Sequence, residues 1–203
     1  MDQPQVSSRE TSEILSLSKS TLDKKVEGDF VEFGCYKGET SVLLGKLLQS
    51  ALYRPLKKSL WLYDSFAGLP EKTLEDASPA GINFKQGELL VTKREVLEKL
   101  RRSNLDLKAI RIKKAFFSDL SPETDLTKDI AFVFLDGDLY SSIKTSLKLV
   151  CPKLTNGALV VVHDYNNPEL PGATKAVDEF LRERPDFSLR VHFSLAILTA
   201  RSH

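Results

Sequence analysis

Two aspartates one residue apart close an apolar run, Phe134-Leu-Asp-Gly-Asp-Leu-Tyr-Ser-Ser142. A second apolar run, Ala158-Leu-Val-Val-Val162, ends in His163-Asp164. If the two runs are neighbouring strands, Asp136, Asp138, Asp164 and the His163 imidazole crowd one crevice. Carboxylates packed together repel and raise one another's pKa. A divalent cation removes that cost and uses the oxygens as ligands. The plainer alternative is two unrelated strand ends, each with an acid that caps a turn.

Two more strand ends carry chemistry. The run Asp29-Phe-Val-Glu-Phe-Gly34 leads into Cys35-Tyr-Lys-Gly-Glu-Thr40. A dinucleotide site uses G-x-G-x-x-G, whose second glycine lets the pyrophosphate approach the backbone. Tyr36 holds that middle position here. Its bulk argues against a pyrophosphate and suits a phosphate-free ligand such as S-adenosylmethionine (SAM). Glycines after a strand also serve simply to make a tight turn. The run Ser59-Leu-Trp-Leu-Tyr-Asp64 ends in an acid. A carboxylate at that distance past a glycine turn accepts ribose hydroxyls; a turn cap is the alternative.

The elements that must position these residues follow from periodicity. Leu43, Leu44, Leu47, Leu48 and Ala51 make a helix after the glycine turn. Ser65 to Gly87 is irregular, and a loop of that length is expected to act as a lid over 67–87. Thr92-Lys-Arg-Glu95 is a capping box opening a helix through Val96, Leu97 and Leu100. Ile110-Arg-Ile-Lys113 is a weaker strand, and Ile130-Ala-Phe-Val-Phe-Leu135 is apolar throughout. Continuous apolar strands suit a parallel sheet buried on both faces. Ile143, Leu147, Val150, Cys151 and Leu154 form one helical stripe; Ala173, Ala176, Val177, Phe180 and Leu181 form another. Ser188–Phe193 and Leu195–Ala200 leave no room for a helix between them, so they form an antiparallel pair that closes the sheet. The expectation is one doubly wound α/β domain over 29–203, preceded by an N-terminal extension or helix over 1–28. In such folds ligands sit at the carboxyl ends of the strands.

Composition excludes several classes. The chain has 203 residues and a formal net charge of +1, so no polyanion or acidic membrane is implied as partner. Cys35 and Cys151 are too few and too far apart for a disulfide framework or a zinc pattern. No apolar run approaches a membrane span, and the first twenty or so residues lack a signal-peptide core. A cytoplasmic location follows, with a homodimer expected on base rates. His192 and Trp61 are expected in structural roles and Lys144 in solvent.

Four motifs in order resemble the macrocin O-methyltransferase (TylF-type) family: Asp64-Ser-Phe-Ala-Gly-Leu-Pro70, Leu135-Asp-Gly-Asp-Leu-Tyr-Ser-Ser142, His163-Asp-Tyr165 and Pro171-Gly-Ala-Thr-Lys-Ala-Val-Asp-Glu-Phe180. The resemblance covers about Phe30 to Leu181. It implies a Rossmann-like class I methyltransferase fold, with a mostly parallel seven-stranded sheet, an antiparallel C-terminal strand and helices on both faces. It implies a SAM-dependent O-methyltransferase that uses a divalent metal, Mg2+ or Mn2+, on a small-molecule hydroxyl acceptor such as a sugar or natural product. Carried across, Glu32, Gly34, Tyr36, Gly38 and Thr40 match the SAM turn, and Asp64 and Ser65 match the part holding the ribose. Phe66 is placed beside the adenosine, and Asp136 is also assigned to the donor side. Asp136 and Asp164 match metal ligands, with His163 beside them as a third, and Asp138 matches the general base. The family usually has Asp-Asp-Tyr where this chain has His163-Asp164-Tyr165, and imidazole shifts preference towards manganese, iron or zinc. The front of the chain is also shorter than is common in the family.

Two other readings remain open at this point. One is a SAM-binding protein that has lost catalysis, which the His163 departure admits. The other is a nicotinamide-dependent oxidoreductase on the same broad fold, which Tyr36 opposes.

Overall fold

A computed structural model describes residues 6–79 and 84–200. Residues 80–83, part of the expected lid, lie outside that description.

The order is α1 (Ser8–Asp23), β1 (Asp29–Phe33), α2 (Glu39–Leu48), β2 (Leu60–Asp64), α3 (Lys93–Arg102) and β3 (Ile110–Lys114). It continues with β4 (Ile130–Leu135), α4 (Tyr140–Val150), β5 (Leu154–Val162), α5 (Pro171–Glu183), β6 (Phe187–His192) and β7 (Leu195–Ala200). The strands form one seven-stranded sheet in the order β3-β2-β1-β4-β5-β7-β6. Pairs from β3 through β5 are parallel; β7 runs antiparallel to both its neighbours. The strand order reverses between β1 and β4, so a ligand crevice opens there.

Strand alternation divides the core into two layers. Phe30, Leu62, Phe132, Phe134 and Val161 face α1, α2 and α3. Val31, Phe33, Val133, Leu135 and Val162 face α4 and α5. Strand β4 is buried at every position, as its sequence requires. The α1 helix is part of this core, since Ile14, Leu17 and Leu22 join the first layer.

The C-terminal pair is antiparallel as expected, but β7 lies inside and β6 takes the edge. Burial explains the order: Leu195–Leu198 are buried in succession, whereas β6 is half solvated. Strand β5 begins at Leu154, earlier than its apolar run. Thr155, Asn156 and Gly157 look like a turn in sequence, yet Leu154 pairs with Ile130 across a register shift. Lys144 is not in open solvent. Its Nζ donates to Tyr140 Oη at 2.6 Å and to Glu179 Oε2 at 2.9 Å. Trp61 is half-buried and its indole N–H donates to Asp29 Oδ2 at 2.9 Å.

Candidate active site

The ends of four adjacent parallel strands are stepped in register. The Gly34 amide donates to the Tyr63 carbonyl at 2.8 Å, that of Asp136 to Phe33 at 2.8 Å, and that of His163 to Leu135 at 2.9 Å. The ladder therefore carries past the apolar runs and sets Gly34, Asp136 and His163 side by side. The predicted neighbours β4 and β5 are neighbours, and their acids meet.

The glycine turn is shaped by Asp64. Its Oδ2 accepts the Tyr36 amide at 3.0 Å and its Oδ1 accepts the Phe66 amide at 2.7 Å. Thus Asp64 is a turn cap, as the plainer alternative held, and it also lines a cavity. The Cys35 amide and thiol also interact with this carboxylate, so the turn itself takes up much of its accepting capacity. Burial raises its pKa, and the amides that it accepts oppose the rise. Ser65 accepts the Ala67 amide and donates to the Gly68 carbonyl, building the next turn. Gly38 starts α2 in the left-handed region, and Glu32, buried beneath, accepts a 2.6 Å hydrogen bond from Ser41 of that helix. Burial pushes Glu32 up to about 8, with Asp136 and Asp64 adding to the rise and Ser41 opposing it.

Two cavities flank this turn. One, of about 340 Å3, is lined by Asp64, Ser65, Phe117, Asp138 and Ser142 among others. The other, of about 680 Å3, is lined by Val6 and Thr11 at the front of the chain, with Glu32, Lys37 and Thr40. Gly34, Tyr36, Leu89 and Asp136 line both. Phe66 lines neither. Its backbone is left-handed, and its side chain is buried in the first core layer. The aromatic wall of the smaller cavity comes instead from Phe116 and Phe117, after β3.

The acids gather around one imidazole. His163 Nδ1 stands 2.8 Å from Asp136 Oδ1 and 3.1 Å from Asp164 Oδ2. Burial alone would lower the His163 pKa. The Asp136 charge, with hydrogen bonds to Asp136, Asp164 and Glu10, outweighs it and holds the imidazole well above its ordinary range. Asp138 follows β4 with φ of 58° and Asp164 follows β5 with φ of 60°. Left-handed backbone is tolerated by aspartate and is concentrated at functional sites. Burial first, then Asp136 and Asp164, push Asp138 well above the usual carboxylate range.

The donor set suits a cation. One ligand atom each from Asp136, His163 and Asp164 lies within 4.8 Å of the others. Neighbouring ligands on a small octahedral cation stand about 3 Å apart. Nδ1 must lose its proton to become a ligand, so binding is coupled to pH.

Several contributors come from outside the sequence motifs. Glu10 of α1 places Oε2 at 3.7 Å from His163 Nε2. Ser7-Ser-Arg-Glu10 does carry a capping-box signature, and the box is present. Asp76, in the expected lid, accepts the Tyr140 amide at 2.7 Å and so caps α4, whose own N-cap Leu139 cannot.

This fold is that of a Rossmann-like class I methyltransferase. The family described as macrocin-O-methyltransferase (TylF) matches residues 6–186, and the chain belongs to that family. It is 28% identical over 165 residues to demethyldecarbamoylnovobiocin O-methyltransferase of Streptomyces niveus, covering 80% of this chain and 61% of that protein. It is 29% identical over 150 residues to 8-demethyl-8-(2,3-dimethoxy-alpha-L-rhamnosyl)-tetracenomycin-C 4'-O-methyltransferase of Streptomyces olivaceus, covering 72% and 56%. The chain thus spans less than two thirds of these curated relatives. The structure of the O-methyltransferase NovP superposes with a TM-score of 0.82 at 26% identity, covering 95% of this chain and 79% of that one. That of CalS11, a calicheamicin methyltransferase, has a TM-score of 0.72 at 23% identity, covering 96% and 80%. Among the described residues no helix is long and apolar enough to cross a membrane.

Proposed function

We propose that the chain transfers the methyl group of SAM to a hydroxyl of a small molecule, a sugar or a sugar-bearing natural product, with a divalent cation assisting. The observation that carries this is the junction of two cavities at Asp136, with Asp138 at the same strand end. A donor with its nucleoside in the smaller cavity, and the rest lying across the glycine turn into the larger one, would bring its methyl group beside those acids. The names of the relatives, all O-methyltransferases of natural products, support the same reading.

In this reading Asp64 and Ser65 hold the ribose, and Phe116 and Phe117 flank the base. Gly34, Tyr36, Gly38 and Thr40 form the turn against which the rest of the donor lies, above Glu32. Asp136, His163 and Asp164 would hold the cation, and the imidazole favours manganese, iron or zinc over magnesium. When bound, the cation supplies Lewis-acid stabilisation of charge developing on the acceptor oxygen. Asp138 takes the acceptor proton as that oxygen attacks the methyl carbon in line with the departing sulfur. Burial first, then Asp136 and Asp164, hold Asp138 high without a cation; positive charge held by those two acids would lower it and free the carboxylate to take the proton. The two free thiols fit a reducing cytoplasm.

One observation favours a second reading, a SAM-binding protein without turnover. The imidazole of His163 sits among the acids where a cation would otherwise balance them. Incubation with methyl-labelled SAM and a panel of sugars, glycosides and phenols separates the two. Transfer that a chelator lowers and Mn2+ restores supports catalysis. SAM binding with no transfer to any acceptor supports the binder.

A further inference from the structure

Glu10 has no part in either cavity or in the proposed ligand set, yet it is buried, at 8% exposure. Three hydrogen bonds from two segments fix its carboxylate. Oε2 accepts the Ser7 amide at 2.9 Å and the Ser7 hydroxyl at 2.6 Å. Oε1 accepts the hydroxyl of Ser194, in the turn between β6 and β7. The Ser194 carbonyl in turn accepts the Tyr165 amide at 2.8 Å, so the same turn steadies the segment that bears His163 and Asp164. On its remaining side Glu10 Oε2 lies 3.7 Å from His163 Nε2. The opposite nitrogen, Nδ1, faces Asp136 and Asp164. The imidazole is therefore clamped between one outer carboxylate and two inner ones.

We propose that Glu10 is a positioning residue for the cation site. It acts through Nε2 of His163, so that Nδ1 presents its lone pair alongside Asp136 and Asp164. The inference rests on the cation reading given above. An outer carboxylate on a ligating histidine fixes the ring and its tautomer and raises its basicity as a ligand; losing it costs about 10–100-fold in metal affinity. At 3.7 Å the contact is longer than a hydrogen bond, so the carboxylate acts here chiefly by its charge. The helix α1 thereby becomes part of the cation site and not only a cover over the sheet.

A competing role is plain helix capping, since Glu10 closes the capping box with Ser7. Glu10→Gln separates the two, because glutamine also completes a capping box but carries no charge. The probe is Mn2+ alone, titrated into chelator-treated full chain and followed by the electron paramagnetic resonance of the free ion. Wild type, Glu10→Gln, His163→Asp and the double variant make a cycle. Mn2+ affinity falls about 10-fold or more in Glu10→Gln. In the His163→Asp background the same change causes no loss, because a carboxylate has no second nitrogen for Glu10 to hold. Wild-type affinity in Glu10→Gln, or an equal loss in both backgrounds, overturns the proposal. Should Glu10→Gln not fold, Ser194→Ala replaces it in the same cycle, with a smaller loss expected that again vanishes beside His163→Asp. Wild type that binds no Mn2+ overturns the cation reading itself and this inference with it.

Discussion

A Cβ placed on Gly34 would stand 1.9 Å from the carbonyl oxygen of Asp136. The glycine turn after β1 and the acid-bearing end of β4 are thus in backbone contact. Gly34 also has φ of 83°, which side-chain-bearing residues rarely adopt. Both facts put the glycine at the hinge of the account: the turn that would hold SAM cannot move without moving Asp136.

Gly34→Ala is therefore predicted to damage stability and both sites together. The left-handed backbone alone costs about 1–2 kcal/mol, and the clash adds to it. Thermal unfolding should drop by at least ~3–6 °C. Calorimetry on whatever remains folded should show SAM affinity lost. An unshifted unfolding temperature with normal SAM binding would mean that the turn is not seated as described.

Asp138→Asn tests the base. Methyl transfer should fall by about 10²–10⁴-fold while the SAM dissociation constant stays within a few-fold. A variant as active as wild type would move the base elsewhere.

Asp76 ties the turn that begins at Thr73 to the helix that follows the acids. It accepts the amides of Tyr140 and Thr73 and the Thr73 hydroxyl, and it is almost fully buried. Loss of such a cap costs about 0.5–2 kcal/mol. Asp76→Ala should lower the unfolding temperature by roughly 2–6 °C, and Asp76→Asn should recover part of that loss. Equal unfolding temperatures for Asp76→Ala and wild type would show that α4 is capped some other way.

Much of this was legible in the sequence. Apolar runs such as Ile130–Leu135 must be buried strands, and parallel strands in register bring their next residues together. Hence the sequence alone groups Asp136, His163 and Asp164. What escaped depends on docking between distant segments. The SxxE signature at Ser7–Glu10 marks a helix start, but not that its acid reaches His163 across the end of the sheet. Asp76 caps a helix it does not belong to, and nothing in its local sequence says so. The motif around Phe66 suggests a place beside the adenosine, but its backbone is left-handed and its side chain is buried in the core. Phe116 and Phe117 follow the weakest of the parallel strands and gave no signal of their own.

The state of Glu32 sets a pH dependence for the metal-free protein. Its pKa is raised from 4.5 to about 8 in the fold, so between those values the native state binds a proton that the unfolded chain has released. The contribution is complete below 4.5 and is lost as pH rises through about 8. Stability should fall relative to Glu32→Gln by up to about 1.4 kcal/mol per pH unit in that window. Unfolding curves for both proteins from pH 5 to about 8 decide it. Parallel profiles would mean that Glu32 is ionised in the fold.

The most direct measurement is calorimetric titration of SAM into chelator-treated protein, repeated with Mn2+ and with Mg2+. The account predicts micromolar binding of SAM, about 8 kcal/mol, and then a cation that binds the SAM complex with Mn2+ favoured over Mg2+. No binding of SAM under any of these conditions would contradict it, and would leave the cavity between Asp64 and Asp138 without its ligand.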